Sequence, residues 1–344
     1  MCVFAPGGDL TDCKRLRQLR RIVRVMDSFE GRLAVVTGGG TGMGRELVVQ
    51  LATQGCSIAM CDVNADNMGE TSLRAAAVAP EGTKITTHLC DVADETQVNR
   101  FRDEVMAMHN TDHINLLFNN AGVGGGGSFV SGDRAEWDRT FGICWGGVYN
   151  CARAFVPLLV RSDEGRLVNT SSVNGFWASL GPGMPHTAYS SAKFAVKGFS
   201  EALLEDFKIN APHVKVSVVM PGHIGTDIVL NSRNVIHGDE EMSAKELDAL
   251  RENLTRRGIP STDVPDEDLR SFMKAMGEGF RDNAPMTAAQ AATVILDGVK
   301  QGRWRILVGD DAHKLDQAVR RDPESAYDGL TLGEIAEAFG GQPS

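Results

Sequence analysis

From Leu33 onward the chain alternates short, unbroken apolar runs with longer stretches in which apolar residues return every three or four positions. An unbroken run of four to eight apolar residues reads as a strand covered on both faces, and the three-four spacing reads as an amphipathic helix. Strands are therefore expected at Leu33–Val36, Ser57–Cys61, Lys84–Cys90, Ile114–Phe118, Arg166–Thr170, Val214–Val219 and Arg305–Val308. A helix is expected at Arg45–Gln54, and another at Thr287–Lys300. The spacing of Ala192, Ala195, Val196, Phe199, Ala202, Leu203 and Phe207 predicts a third, with Tyr189 and Lys193 on one face of its first turns. Strands that alternate with helices predict an α/β fold, whose ligands bind at the carboxyl ends of the strands.

Two regions depart from this rhythm. Residues 228–283 are charged and irregular, with helical patches near Ala244–Leu254 and Asp266–Phe280, and read as a substrate lid rather than a second domain. Residues 1–27 read as a disordered extension, with Met26 as a candidate start; Lys14, Arg15, Arg17, Arg20, Arg21 and Arg24 face only Asp9 and Asp12 there. The expected organisation is thus an extension (1–27), one domain (28–310) and a helical tail (311–344) that frays at its end.

Composition narrows the class. A chain of 344 residues with 42% apolar residues, 38 Gly and few aromatics fits a soluble, glycine-turn-rich protein. A net charge of -10 leaves no broad basic surface for nucleic acid. No unbroken apolar run reaches the roughly 18 residues that cross a bilayer, so no membrane span is expected. The seven Cys contain no Cys-x-x-Cys pair and several sit in strands, which favours free thiols and a cytoplasmic location. The eight scattered His show no metal-binding spacing, and no metal is expected.

The candidate chemistry lies at strand ends. Thr37 to Gly44 carries glycines at Gly38, Gly42 and Gly44 between a strand and a helix, where backbone can approach a pyrophosphate held at the helix N-terminus. Asp62 ends the second strand, eighteen residues after Gly44. An acidic residue there accepts ribose hydroxyls and repels a 2'-phosphate, which favours NAD over NADP. Asp91-Val92 ends the third strand, and Asn119-Asn120-Ala121-Gly122 ends the fourth, opening a glycine run to Gly127. Tyr189 and Lys193 form a phenol-amine pair. An ammonium about 4 Å from a phenol in a partly screened site favours phenolate by about 4 kcal/mol, up to roughly three pK units. Ser172, just past the fifth strand, is placed to hydrogen-bond the same substrate oxygen.

Taken in order, Thr37-Gly-x-x-x-Gly-x-Gly44, Asn119 to Gly122, Ser172, Tyr189-x-x-x-Lys193 and Pro221 to Thr226 resemble the successive signatures of the short-chain dehydrogenase/reductase family over Glu30–Asp227. The resemblance implies a Rossmann-type, doubly wound parallel sheet of seven strands in a single domain, NAD(P)-dependent hydride transfer, and a homodimer or homotetramer. It makes Tyr189 the acid/base, Lys193 the residue that lowers its pKa and holds the nicotinamide ribose, and Ser172 the residue that orients the substrate. It assigns cofactor contacts to Gly38, Gly40, Gly42, Met43, Gly44, Asp62, Asp91, Val92, Asn120, Gly122, Tyr189, Lys193, Ile224 and Thr226.

Two departures from that pattern shape the expected function. Cys144 stands where the family has an Asn that relays protons through water, and a thiol cannot reproduce an amide's paired contacts. Ser172 and Tyr189 are seventeen residues apart, a wider spacing than usual, so Phe176–Pro185 is expected to form an enlarged loop. Phe176, Trp177 and Met184 in that loop, with Cys144, Trp145 and His186, are expected to line an apolar substrate pocket. The expected activity is NAD-dependent interconversion of a lipophilic secondary alcohol and its ketone. The alternative is a dinucleotide-binding sensor or scaffold with weak catalysis.

Overall fold

The structure, a computed structural model, describes residues 26–180, 184–238, 241–256 and 258–327. Seven strands pair in parallel in the order β3-β2-β1-β4-β5-β6-β9. They are β1 (Leu33–Thr37), β2 (Ser57–Asp62), β3 (Ile85–Leu89), β4 (Leu116–Asn119), β5 (Gly165–Thr170), β6 (Val214–Pro221) and β9 (Arg305–Val308). All five residues of β1, all four of β4 and all six of β5 are buried, as strands covered on both faces must be. Their lack of polar-apolar alternation in the sequence has this cause.

Helices cover both faces: α1 (Gly42–Thr53), α2 (Ala65–Val78), α3 (Glu95–His109), α4 (Arg134–Phe141), α5 (Gly147–Arg161), α6 (Thr187–Asn210), α10 (Ala288–Lys300) and α11 (Asp310–Arg321). One apolar layer joins α3, α5 and α6 to the sheet through Phe101, Phe155, Leu158 and Phe207. The other joins α1 and α10 through Leu47, Leu51, Ile295 and Val299. Local chemistry sets the boundaries. Asp94 caps α3 by accepting the Thr96 and Gln97 amides, and Thr287 with Gln290 forms a reciprocal capping box at α10. The strand order reverses between β1 and β4, so a crevice opens at their carboxyl ends.

Four expectations need correction or limits. Met26 and Phe29 are buried in the second apolar layer, and the Met26 amide donates to the Lys300 carbonyl at 3.1 Å, so the domain has begun by Met26. The expected lid region is helical for most of its length: α7 (Ile228–His237), α8 (Ala244–Arg256) and α9 (Asp266–Asp282). Its own small core is Leu247, Leu254 and Leu269, and a two-stranded ladder of β7 (Ile224–Gly225) with β8 (Met286–Thr287) closes its base. The helical run Arg134–Arg161 is, by length and mean hydropathy of 1.3, apolar enough to cross a membrane, which the search for unbroken apolar runs overlooked. That run lies against the sheet with 56% of its most apolar window buried, as a core helix does. Expectations for residues 1–25, the loop glycines at 181 and 183, and the frayed end after 327 fall outside the described residues.

Candidate active site

The crevice is a cleft floored by the β1–α1 turn. Gly38 and Gly42 take positive φ values of 66° and 53°, which L-residues with side chains rarely adopt. A Cβ on Gly44 would stand 1.9 Å from the Gly38 carbonyl oxygen, so the helix can start this close to the strand only with glycine there. Thr41 makes no side-chain cap and the first turn of α1 has no acidic residue, which leaves its amides and positive dipole end to face an anion. Gly38, Gly42, Met43, Asp62, Asp91, Val92, Asn120, Gly122 and Thr226 all line the cleft, as does Thr41. Gly40, Gly44, Ile224, Tyr189 and Lys193 do not line it. Gly40 donates its amide to Asp62, Gly44 packs on Gly38, and the Ile224 side chain lies in the second apolar layer.

The acidic groups are held in place by backbone. Asp62 accepts the Gly40 amide at 2.9 Å and the Asn64 amide at 3.1 Å, which fixes its carboxylate at the rim. Asp91 pairs with Arg139 of α4 at 2.7 Å and accepts the Ala93 amide at 3.0 Å. Arg139 also lines the cleft, a neighbour of Asp91 that no sequence motif marks. Asn120 donates to the Thr37 carbonyl at 3.1 Å and so ties β4 to the glycine turn; its Oδ1 is buried without a partner. A free acceptor in a cleft, unpaired helix amides and a carboxylate at the end of β2 together fit a nicotinamide dinucleotide.

The phenol-amine pair stands beside Gly122, next to the end of the cleft but not among its lining residues. The Lys193 amine is buried and donates to the Thr170 carbonyl at 3.0 Å, which occupies one of its three donors. It lies 5.3 Å from the Tyr189 ring centroid, and a Cβ on Gly122 would stand 3.4 Å from it. Ser172 leaves β5 with its hydroxyl accepting the Asn174 amide at 3.1 Å. Burial pushes the Tyr189 phenol above its ordinary value, Lys193 pulls it down, Cys144 pushes it up, and a hydrogen bond from Ser172 pulls it down. The balance in this cofactor-free chain is upward, against the expectation that the amine alone would set it. His186 stacks on the Tyr189 ring at 4.5 Å between centroids, and burial lowers its imidazole to about 4, so it is neutral at pH 7.

Cys144 sits in a corner beside Gly122 and Val123. Its thiol is fully buried, donates to the Val123 carbonyl at 3.2 Å, and would lie 3.8 Å from a Cβ on Gly122. It is carried on a π-helical turn, Gly142–Gly146, between α4 and α5, a feature that no spacing in the sequence revealed.

The expected aromatic pocket wall is not there. Trp177 is buried in a separate cluster with Val173, Ala312, Leu315 and Ala326, and its indole donates to the Ala326 carbonyl at 2.9 Å. Phe176 packs on the same cluster beneath Arg305. Both belong to the seam with α11, because the turn after Ser172 directs them toward the C-terminal helix. Trp145 packs edge-on against Phe199 at 5.4 Å, on the flank shared by α5 and α6. Instead, α7 supplies one wall of the cleft through Ile228, Asn231, Ser232 and Val235. Asn231 reaches across to the Thr41 hydroxyl at 3.3 Å, and Ser232 accepts the Gly124 amide at 2.7 Å. The polar residues in this stretch had masked a helix whose apolar positions are half-buried, Val235 and Ile236 among them against the first apolar layer. Among the described residues no cluster of three or more His, Cys, Asp or Glu is arranged to hold a metal ion.

Known proteins share this arrangement. A family profile described as short chain dehydrogenase matches residues 32–235. The chain belongs to the short-chain dehydrogenase family. A protein named putative oxidoreductase SadH, from Mycobacterium tuberculosis, is 31% identical over 314 residues, spanning 91% of this chain and 99% of its own. The levodione reductase of Leifsonia aquatica is 28% identical over 63% of this chain and 79% of its own. Among solved structures, a short-chain dehydrogenase from Burkholderia phymatum in complex with NAD superposes with a TM-score of 0.65 at 25% identity, covering 89% of this chain and 96% of its own. A metagenomic short-chain oxidoreductase in complex with NADP gives 0.50 at 28% identity, over 57% and 84%. The protein is thus a short-chain oxidoreductase, built as one domain on the expected Rossmann-type sheet.

Proposed function

We propose that this short-chain oxidoreductase uses NAD to interconvert a lipophilic secondary alcohol and its ketone, with Tyr189 exchanging the proton. One observation carries the reading: Ser172, from the turn after β5, and Tyr189 and Lys193, from α6, converge beside Gly122, where the glycine-floored cleft ends. A nicotinamide cofactor there supplies or accepts the hydride and, when oxidised, adds positive charge beside the phenol. The Lys193 ammonium favours the phenolate, the Ser172 hydroxyl holds the substrate oxygen against Tyr189, and the neutral His186 ring braces the phenol from its face. Burial raises the phenol's pKa, and Lys193 and Ser172 pull against it.

Several finer points follow from the same geometry. The Asp62 carboxylate, fixed at the rim by two amides, supports NAD over NADP. Phe129, Val130, Leu180 and Met184 are exposed on the two loops that join where the Thr187 amide meets the Gly127 carbonyl, and these apolar side chains support a lipophilic substrate. The exposed Tyr149 and Phe194 beside Trp145 and Phe199 support a homodimer or homotetramer through α5 and α6. Five buried free thiols support a reducing, cytoplasmic setting.

The test is a panel of hydrophobic secondary alcohols with NAD, followed at the nicotinamide absorbance. Tyr189→Phe is expected to lose nearly all turnover while still binding NADH; full turnover would assign the proton to another group. Cys144 in place of the amide favours a second reading, a dinucleotide-binding sensor. Silence of the unmodified protein across the panel, with tight NADH binding, would select it.

A further inference from the structure

The segment Pro221–Asp227 carries Thr226 to the cleft and is gripped from behind by α11. Asp311, in the first turn of α11, is 3% exposed, and its Oδ2 accepts the His223 amide at 2.6 Å. The carboxylate lies so close to the chain that a Cβ on Gly222 would stand 2.1 Å from it, so Gly222 and Asp311 fit only as a pair. The Gly222 amide in turn donates to the Val308 carbonyl at 2.9 Å, just before α11 begins. On its other side the segment meets α9: the His223 imidazole bonds the Phe280 carbonyl at 2.7 Å and Asp227 pairs with Arg281 at 2.9 Å. Asp311 thus holds the one backbone donor at the turn from which both the ladder β7–β8 and Thr226 depart.

We propose that Asp311 is a positioning residue: by fixing the His223 amide it sets, from the C-terminal helix, the segment Gly222–Thr226, whose Thr226 stands 3.2 Å from a Cβ on Gly42 at the turn that faces the pyrophosphate. This inference rests on the dinucleotide reading of the cleft. A buried carboxylate that accepts an amide forms a strong hydrogen bond, and its removal leaves that amide unpaired out of reach of water. The segment would then relax away from the cleft on one side only. The adenosine end, built on β1, β2 and β3 with Asp62 and Asp91, shares no contact with Asp311.

That asymmetry gives a readout that a purely structural residue would not move. Dissociation constants for NADH and for AMP, which ends at the first phosphate, are measured by fluorescence and calorimetry on the full chain and on Asp311→Ala and Asp311→Asn. Asp311→Ala is expected to weaken NADH roughly tenfold and AMP by less than about twofold. Asp311→Asn keeps an acceptor of the same size without the charge and should recover most of the loss, ending roughly threefold weaker for NADH. Equal weakening of both ligands, or no weakening of NADH, overturns the proposal. If Asp311→Ala does not fold, the same split is read from Asp311→Asn, and an unchanged NADH constant there overturns it. An unmodified chain that binds neither ligand would overturn the dinucleotide reading itself, whereas binding of both with no effect of the variants removes only the role of Asp311.

Discussion

Asp62→Asn removes the charge that is proposed to choose NAD. The substitution keeps the side chain's size, but one of the two oxygens that accept the Gly40 amide at 2.9 Å and the Asn64 amide at 3.1 Å becomes an NH2 donor; that lost bond affects both cofactors alike and cancels in their ratio. A 2'-phosphate on the adenosine ribose would bring its charge to within about 5 Å of this carboxylate. At an effective dielectric near 20, each unit pair at that separation repels by about 3 kcal/mol. Asp62 is only half-buried at the rim, so screening reduces this to about 1 kcal/mol per unit charge. A phosphate near -2 is then disfavoured by about 2 kcal/mol, roughly thirtyfold. The assay is the ratio of NADPH to NADH dissociation constants, measured by nicotinamide fluorescence at low and at high salt. Asp62→Asn is expected to move this ratio toward NADPH by roughly thirtyfold at low salt and by less as salt is added. A ratio that stays within about twofold of the unmodified chain at low salt would refute the electrostatic reasoning, whichever cofactor binds better.

Two further predictions address the corrected parts of the site. Trp177→Ala should cost about 4 kcal/mol of stability in urea denaturation, because a fully packed indole and its bond to the Ala326 carbonyl are lost, while relative kcat/KM among alcohols of different bulk stays constant. A broadened substrate range in a variant of normal stability would return Trp177 to the pocket wall. Of the three tyrosines, Tyr189 should titrate above 10 in the cofactor-free protein, as read at 295 nm. Tyr189→Phe should delete that step and Lys193→Met should move it higher still, since the amine opposes the effect of burial. A Tyr189 step below 10 in the free protein would show that burial does not dominate.

The parts of the fold that were legible are those in which covalent spacing reports directly on geometry. A strand such as Leu33–Thr37 is buried on both faces, and its unbroken apolar run says so. Gly38, Gly42 and Gly44 mark a turn that other residues cannot make, and Tyr189 and Lys193 meet because four residues make about one helical turn. What stayed hidden depends on partners distant in sequence. Phe176 and Trp177 follow Ser172 and looked like pocket residues, but the surface that covers them comes from α11, more than a hundred positions later. Helix α7 was missed because Asn231, Ser232 and Asn234 face the cleft, which gives a wall-forming helix a polar stripe where solvent was assumed. The upward shift of Tyr189 was invisible for the same reason: burial is set by tertiary packing, whereas the pairing with Lys193 is local.

The π-helical turn at Gly142–Gly146 places one surplus residue in the middle of a continuous rod from Arg134 to Arg161. That wider turn takes up the extra residue locally, so excising a single glycine there would let the rod close into regular α-helix with its two halves still packed. Arg139 would keep Asp91, but the thiol of Cys144 would lose the bulge that holds it against the Val123 carbonyl. This stretch can therefore surrender one residue without melting any helix, and what it forfeits is confined to the corner beside Gly122.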